Sequence, residues 1–258
     1  MSIGIYGCIP DSPYDKGPNG RDHKFSAVPP DDYVVPDEHD ITGAFIPFMV
    51  QGGYGTCASH GPIAAWRYER LNNDLPDIPL SRAQLDWDSG VLEGNTADVG
   101  RQIRDTVKIL ATQGIAREAL WGYDKVGQKP SPEVYADSSN QKILEYQRVE
   151  VNRRAINTAI YMGHPVIIGV PVFKQFESDE AAATGIIRMP AALETEVGWH
   201  CMLHGAYNTA WDIAMNWWDD WWGLPEKKSY CKLPTEYIPK LGQDLWTIFM
   251  NANKPVAA

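Results

Sequence analysis

The chain has 258 residues, ten tryptophans, 44% hydrophobic residues and a formal net charge of −10, which suits one large domain or two modest halves sharing an interface. No stretch reaches the roughly 18 uncharged apolar residues of a membrane-spanning helix, so no membrane partner is expected, and the acidity, with no dense Lys/Arg cluster, opposes binding to nucleic-acid phosphates. Four cysteines (Cys8, Cys57, Cys201 and Cys231) contain no CxxC pair, which gives neither a zinc-knuckle spacing nor a redox dithiol, and they are too sparse for a disulfide scaffold.

Residues 1–45 are rich in Pro, Gly, Asp and Tyr. The runs PDSPYDKGPNG and VPPDDYVVPDEHD carry turn chemistry rather than periodicity and predict an extended arm that wraps the surface or serves as a short propeptide. The first residues lack a basic segment followed by an apolar one, so no secretory signal is expected and a cytoplasmic location is favoured.

Residues 46–150 read as mainly helical. CASHGPIAAWRYERL, starting at Cys57, puts Ile63, Trp66 and Arg67 on one face, with Pro62 expected to interrupt the first turns. DVGRQIRDTVKILATQG repeats Ile103, Val107 and Leu110 on one face and offers Gly114 as a left-handed terminator. Residues 151–258 turn to short β-prone runs, HPVIIGVPVF, WHCMLHGAY and DLWTIFM, while SDEAAATG at 178–185 reads as a loop. Helices followed by strands, not alternating with them, predict an α+β fold: a helical half, a β-barrel-like half, and a cleft between them.

Three distant segments supply one coherent chemistry: VQGGYGTCAS with Gln51 and Cys57, GWHCMLHGAY with His200, and AMNWWDDWWG with Asn216. A cysteine at a helix start is favoured as thiolate by the helix N-terminus and by a neighbouring imidazolium. A histidine, with an ordinary pKa of about 6.5, accepts the thiol proton and later protonates a leaving amine. An asparagine carbonyl holds the ring without adding a buried charge. The Cys57 N–H and the Gln51 side-chain amide are natural oxyanion donors, and Trp218 is placed to shield the His–Asn bond. No cofactor or metal is needed. His204, four residues beyond His200 and on the same strand face, is the alternative base.

These segments resemble the papain-like (C1-type) cysteine peptidase family, in a bacterial-like branch without its usual first disulfide. The six-residue step from Gln51 to Cys57, the run from His200 to Tyr207, and Asn216 to Gly223 are similar to the family's three motifs; LSRAQLDW and ALWGYD resemble two further ones, and IPDSPYDKGPNGRDHKF is similar to the arm of bacterial-type members. The resemblance implies peptide-bond hydrolysis through a Cys57 thioester by a cysteine endopeptidase, with Gln51, His200 and Asn216 completing the site, acting on protein or peptide. Ala58, His60, Asp219 and Tyr54 depart from the pattern, and Tyr54 stands where the family has a disulfide cysteine. Other outcomes are a non-catalytic binding protein or an acyl or isopeptide transferase. Cys8, Cys201 and Cys231 read as structural. In WWDDWW, Trp218 and Trp222 are expected in the core, with Trp217 and Trp221 partly exposed.

Overall fold

The structure, a computed structural model, describes residues 6–11, 24–25 and 34–250. The readings made for most of the arm (1–5, 12–23 and 26–33) and for 251–258 lie outside the described residues.

Four helices precede the bulk of the sheet: α1 (Cys57–Asn72), α2 (Arg82–Glu93), α3 (Ile103–Thr112) and α4 (Pro132–Ser138). Pro62 does not interrupt α1, which runs through it; the helix gives up the bond to the carbonyl four residues back and accommodates the ring. Ile63 and Trp66 are buried, and Arg67 is partly so. Ser81 caps α2 by accepting from the Gln84 N–H, and Gly94 ends it in the left-handed conformation. In α3 the predicted stripe of Ile103, Val107 and Leu110 is buried, and Gly114 takes the expected positive φ of 79°.

The strands are β1 (His39–Asp40), β2 (Glu145–Arg148), β3 (Val166–Phe173), β4 (Glu196–Tyr207), β5 (Trp211–Met215), β6 (Gly223–Leu224), β7 (Lys227–Lys228), β8 (Tyr230–Pro234) and β9 (Gln243–Phe249). An antiparallel sheet runs in the order β2-β9-β3-β4-β5-β8, with β1 also paired to β4. Thus β1 and β2, from before residue 150, join the same sheet as the later strands. Helices α5 (Arg153–Tyr161), α6 (Asp179–Thr184) and α7 (Tyr237–Leu241) complete the chain. The segment SDEAAATG is not a loop: Ser178 caps three consecutive alanines and Gly185 closes the turn at φ 65°, so it forms α6.

Strand alternation divides the interior into two cores. Ile167, Cys201 and Leu203 face a cluster with Ile63, Trp66 and Leu110 of the helices. Val166, Ile168 and Met202 point the other way, into a cluster with Ile156, Trp218 and Tyr237. The helix α1 lies close on β4: at Gly61 a Cβ would come within 2.7 Å of Cys201 Sγ, so only glycine permits this approach. That contact sets the seam between the two halves. Among the described residues no helix is long and apolar enough to cross a membrane.

Candidate active site

Cys57 is the first residue of α1, where backbone N–H groups lack helical acceptors and the helix dipole favours negative charge. Its Sγ accepts from the Cys201 N–H at 3.4 Å across the seam. Cys201 directly follows His200, so the strand whose backbone donates to Cys57 also carries the candidate base.

The direction of the His200 ring follows from its partner. Asn216 Oδ1 accepts from the Trp217 N–H at 2.7 Å and lies 2.6 Å from His200 Nε2. In a neutral imidazole, Nε2 therefore carries the proton and donates, leaving Nδ1 with its lone pair. Among the described residues Nδ1 has no hydrogen-bond partner, the state a proton acceptor requires. Asn216 is fixed beyond the end of β5 by its N–H donating to Ser229 O at 2.7 Å and by Ser229 Oγ donating to Asn216 O at 2.9 Å. Trp218 lies over His200, with centroids 5.0 Å apart at 36°, and Trp222 buttresses Trp218 edge-on. Trp218 is thus placed as the expected cover.

Gln51 lies in the loop before α1. It is wholly buried; its side-chain amide donates to the Tyr54 carbonyl and its N–H to Trp217 O at 2.9 Å. His204 is held elsewhere, with Nδ1 3.1 Å from Ile213 O and Nε2 3.6 Å from Asp212, so Asn216 serves His200 and not His204. Trp217 corrects its expectation: it is fully buried, because its indole N–H donates to Cys201 O at 2.7 Å and its ring lies against His60. All four cysteines are buried and free of disulfides. No group of three or more potential metal ligands occurs among the described residues.

Cys57 and His200 are both 0% exposed. What covers them is the arm, expected to wrap the surface: residues 6–11 run instead between the two walls. On the helical side Gly7 O accepts from Arg101 N–H at 3.0 Å and Ile9 N–H donates to Arg101 O at 2.9 Å; on the sheet side Cys8 N–H donates to Trp199 O at 3.3 Å. Gly7 packs so closely on the Gly55 carbonyl that no Cβ fits there. The Tyr6 ring meets His200 edge-on at 6.5 Å and Trp218 at 6.1 Å, and its hydroxyl donates to Glu177. Asp11 anchors the far end, its N–H donating to Asp244 at 2.7 Å and its carboxylate accepting from Arg148 at 2.6 Å.

Burial dominates the titration of the covered site. It pushes the Cys57 thiol up to about 12, against backbone N–H groups of Cys201, Gly7 and Ala58 that lower it. It pushes His200 down to about 4, against the Asn216 bond that raises it. With the arm seated, the pair is therefore thiol and neutral imidazole, because both charged forms are starved of solvent.

No family model matches the chain. An uncharacterised peptidase C1-like protein of Acanthamoeba polyphaga mimivirus is 29% identical over 215 residues, 77% of this chain and 68% of the viral protein. Xylellain, a cysteine protease from Xylella fastidiosa, superposes with a TM-score of 0.84 at 26% identity, covering 95% of this chain and 96% of its own. In sequence and fold the chain is similar to papain-like cysteine peptidases. The Carica candamarcensis cysteine protease CMS1MS2, solved with E-64, shares the fold at a TM-score of 0.63 and 20% identity, with 84% of this papain-like chain and 99% of the plant enzyme covered.

Proposed function

We propose that this papain-like peptidase is an endopeptidase in which Cys57 is the nucleophile, His200 the base and acid, Asn216 the orienting residue and Gln51 an oxyanion donor. His200 Nδ1 takes the thiol proton as Cys57 Sγ attacks the peptide carbonyl. The resulting oxyanion is met by the Cys57 N–H and a Gln51 amide hydrogen. His200 passes its proton to the leaving amine as the C–N bond breaks, leaving a thioester. Water, deprotonated by His200, then attacks the thioester and Cys57 leaves as the thiol. No step calls for a metal or cofactor.

The observation that carries this reading is the 2.6 Å contact of His200 Nε2 with Asn216, which turns the unpartnered Nδ1 into the proton acceptor. Passage of residues 6–11 through the cleft, against both walls, supports a site that takes an internal stretch of protein or peptide. Four buried thiols, none in a disulfide, support a reducing compartment.

The arm, residues 1–45, acts in this reading as a short propeptide or resident plug on the helical half (46–150) and the β half (151–258). Its exit admits water and substrate, relieves the burial of Cys57 and His200, and restores the ionised pair. Incubation followed by mass spectrometry tests both parts: hydrolysis of a peptide amide that disappears with Cys57→Ala, and self-cleavage near residues 30–45, support the reading. A folded chain that cleaves nothing after removal of the arm would overturn it.

A further inference from the structure

The loop from Gln51 to Thr56 must present an oxyanion site, yet it has no regular structure and three of its six residues are glycine. Such a segment is entropically costly to hold unless it is tied down from outside. Tyr123, in the ALWGYD segment, touches both of its ends. The phenol donates to the Gln51 carbonyl at 2.7 Å, and its oxygen lies 2.6 Å from Thr56 Oγ1. A phenol has one proton, so the bond to Gln51 makes the Thr56 hydroxyl the donor in the second. The chain is Thr56 O–H to Tyr123 O–H to Gln51 O=C, closing the loop across its base.

The ring is itself held. Arg82 lies over its face at 4.0 Å, while His60 and Tyr54 meet it edge-on at 5.4 and 5.9 Å. The guanidinium also donates to Val50 O at 3.2 Å, to His60 Nε2 at 2.9 Å and to Glu118 at 2.6 Å. Because an arginine only donates, His60 Nε2 is the acceptor, and Nδ1–H donates to Thr56 O at 2.9 Å. The hydrogen bonds of this cluster to the segment fall on Val50, Gln51 and Thr56, at or beside Gln51 and Cys57, and the Tyr54 ring contact lies between them.

We infer that Tyr123 is a positioning residue for the oxyanion site, setting the separation of the Gln51 amide and the Cys57 N–H by clamping the two ends of the loop between them. The inference rests on the cysteine-peptidase reading above and adds to it a residue that touches no reacting atom. Its effect belongs to steps that develop an oxyanion. Alkylation of Cys57 by iodoacetamide displaces iodide at a saturated carbon and develops none, while both reactions need the arm out of the cleft. The ratio of kcat/KM to the alkylation rate constant therefore cancels arm opening and isolates the oxyanion site.

In the full-length chain, Tyr123→Phe is expected to lower that ratio about tenfold, an order below the roughly hundredfold or more seen when a donor is removed outright, with the alkylation rate within about twofold of wild type. Thr56→Val, which breaks the same chain at its other link, should lower the ratio similarly, and Thr56→Ser should restore it; this pair decides the matter should Tyr123→Phe not fold. An unchanged ratio in Tyr123→Phe or in Thr56→Val overturns the inference, as does hydrolysis falling in step with alkylation. A wild-type chain that alkylates readily but hydrolyses no peptide overturns the peptidase reading itself, a distinguishable result.

Discussion

The two walls of the cleft hold their residues by different means. On the sheet wall, His200 is placed by strand register, by one hydrogen bond to Asn216 and by the Trp218 ring above it. On the helical wall, the loop carrying Gln51 is placed by side chains brought from positions 60, 82 and 123. A strand forces its neighbours into line with little local help, because the ladder bonds fix every residue along it. A glycine-rich loop has no ladder and depends on a polar network of side chains packed around it.

Mutations on the two walls should differ accordingly. His200→Ala removes the base and acid together and is expected to lower kcat/KM by roughly 10²–10⁴-fold, with Cys57 alkylation at neutral pH falling as well. Gln51→Ala should lower kcat roughly 10²–10³-fold, or about 3–4 kcal/mol, while leaving alkylation nearly unchanged. Loss of alkylation in Gln51→Ala would mean that the helical wall also governs thiol activation, and the contrast between walls would fail.

The arm spans both walls and so reports on each. Gly7→Val introduces a Cβ where the Gly55 carbonyl leaves no room, so the arm should be expelled and Cys57 alkylation in the full-length chain should rise by about tenfold, a 1.4 kcal/mol shift in arm docking. No change on iodoacetamide titration would show that the arm does not limit access.

A smaller, pH-linked effect is expected at Asp11. Burial first, and the neighbouring Asp244 next, raise its carboxyl from 3.8 to about 7, against the lowering influence of Arg148. A seated arm therefore prefers the protonated carboxyl. This contribution to docking is fully present below about 4 and is lost as pH rises towards and through about 7. Limited proteolysis should accordingly cut the arm several-fold faster at pH 8 than at pH 5.5, relative to a control peptide, and Asp11→Asn should flatten that dependence. Faster cleavage at the lower pH would contradict the sign.

These differences also explain what could be read from the residues alone. The stripe of Ile103, Val107 and Leu110 and the β-prone runs that became β3, β4 and β9 are local patterns, and local patterns are legible; of the candidate site, the sixteen-residue step from His200 to Asn216 has its counterpart in their contact across neighbouring strand ends. The burial of Trp217, against the expected partial exposure, is decided by an indole bond to the Cys201 carbonyl on β4. Residues 178–185 read as a loop because Ser, Asp and Gly at their ends suggest turns, although Ser178 and Gly185 are a helix's two caps. His60 stood out only as a departure from the family pattern, and its partners Arg82 and Tyr123 lie 22 and 63 positions further along; no spacing rule joins them. The seating of residues 6–11 depends on a close backbone approach at Gly7, which leaves no periodic trace.

Activation of Cys57 by His200 within this cleft can be read by epoxide or iodoacetamide labelling of arm-free protein followed by intact-mass measurement. A single adduct is expected, on Cys57, formed at pH 6–7 far faster than on a free thiol and slowed to the free-thiol rate by His200→Ala. Labelling of Cys57 no faster than a free thiol, or equally fast without His200, would contradict it.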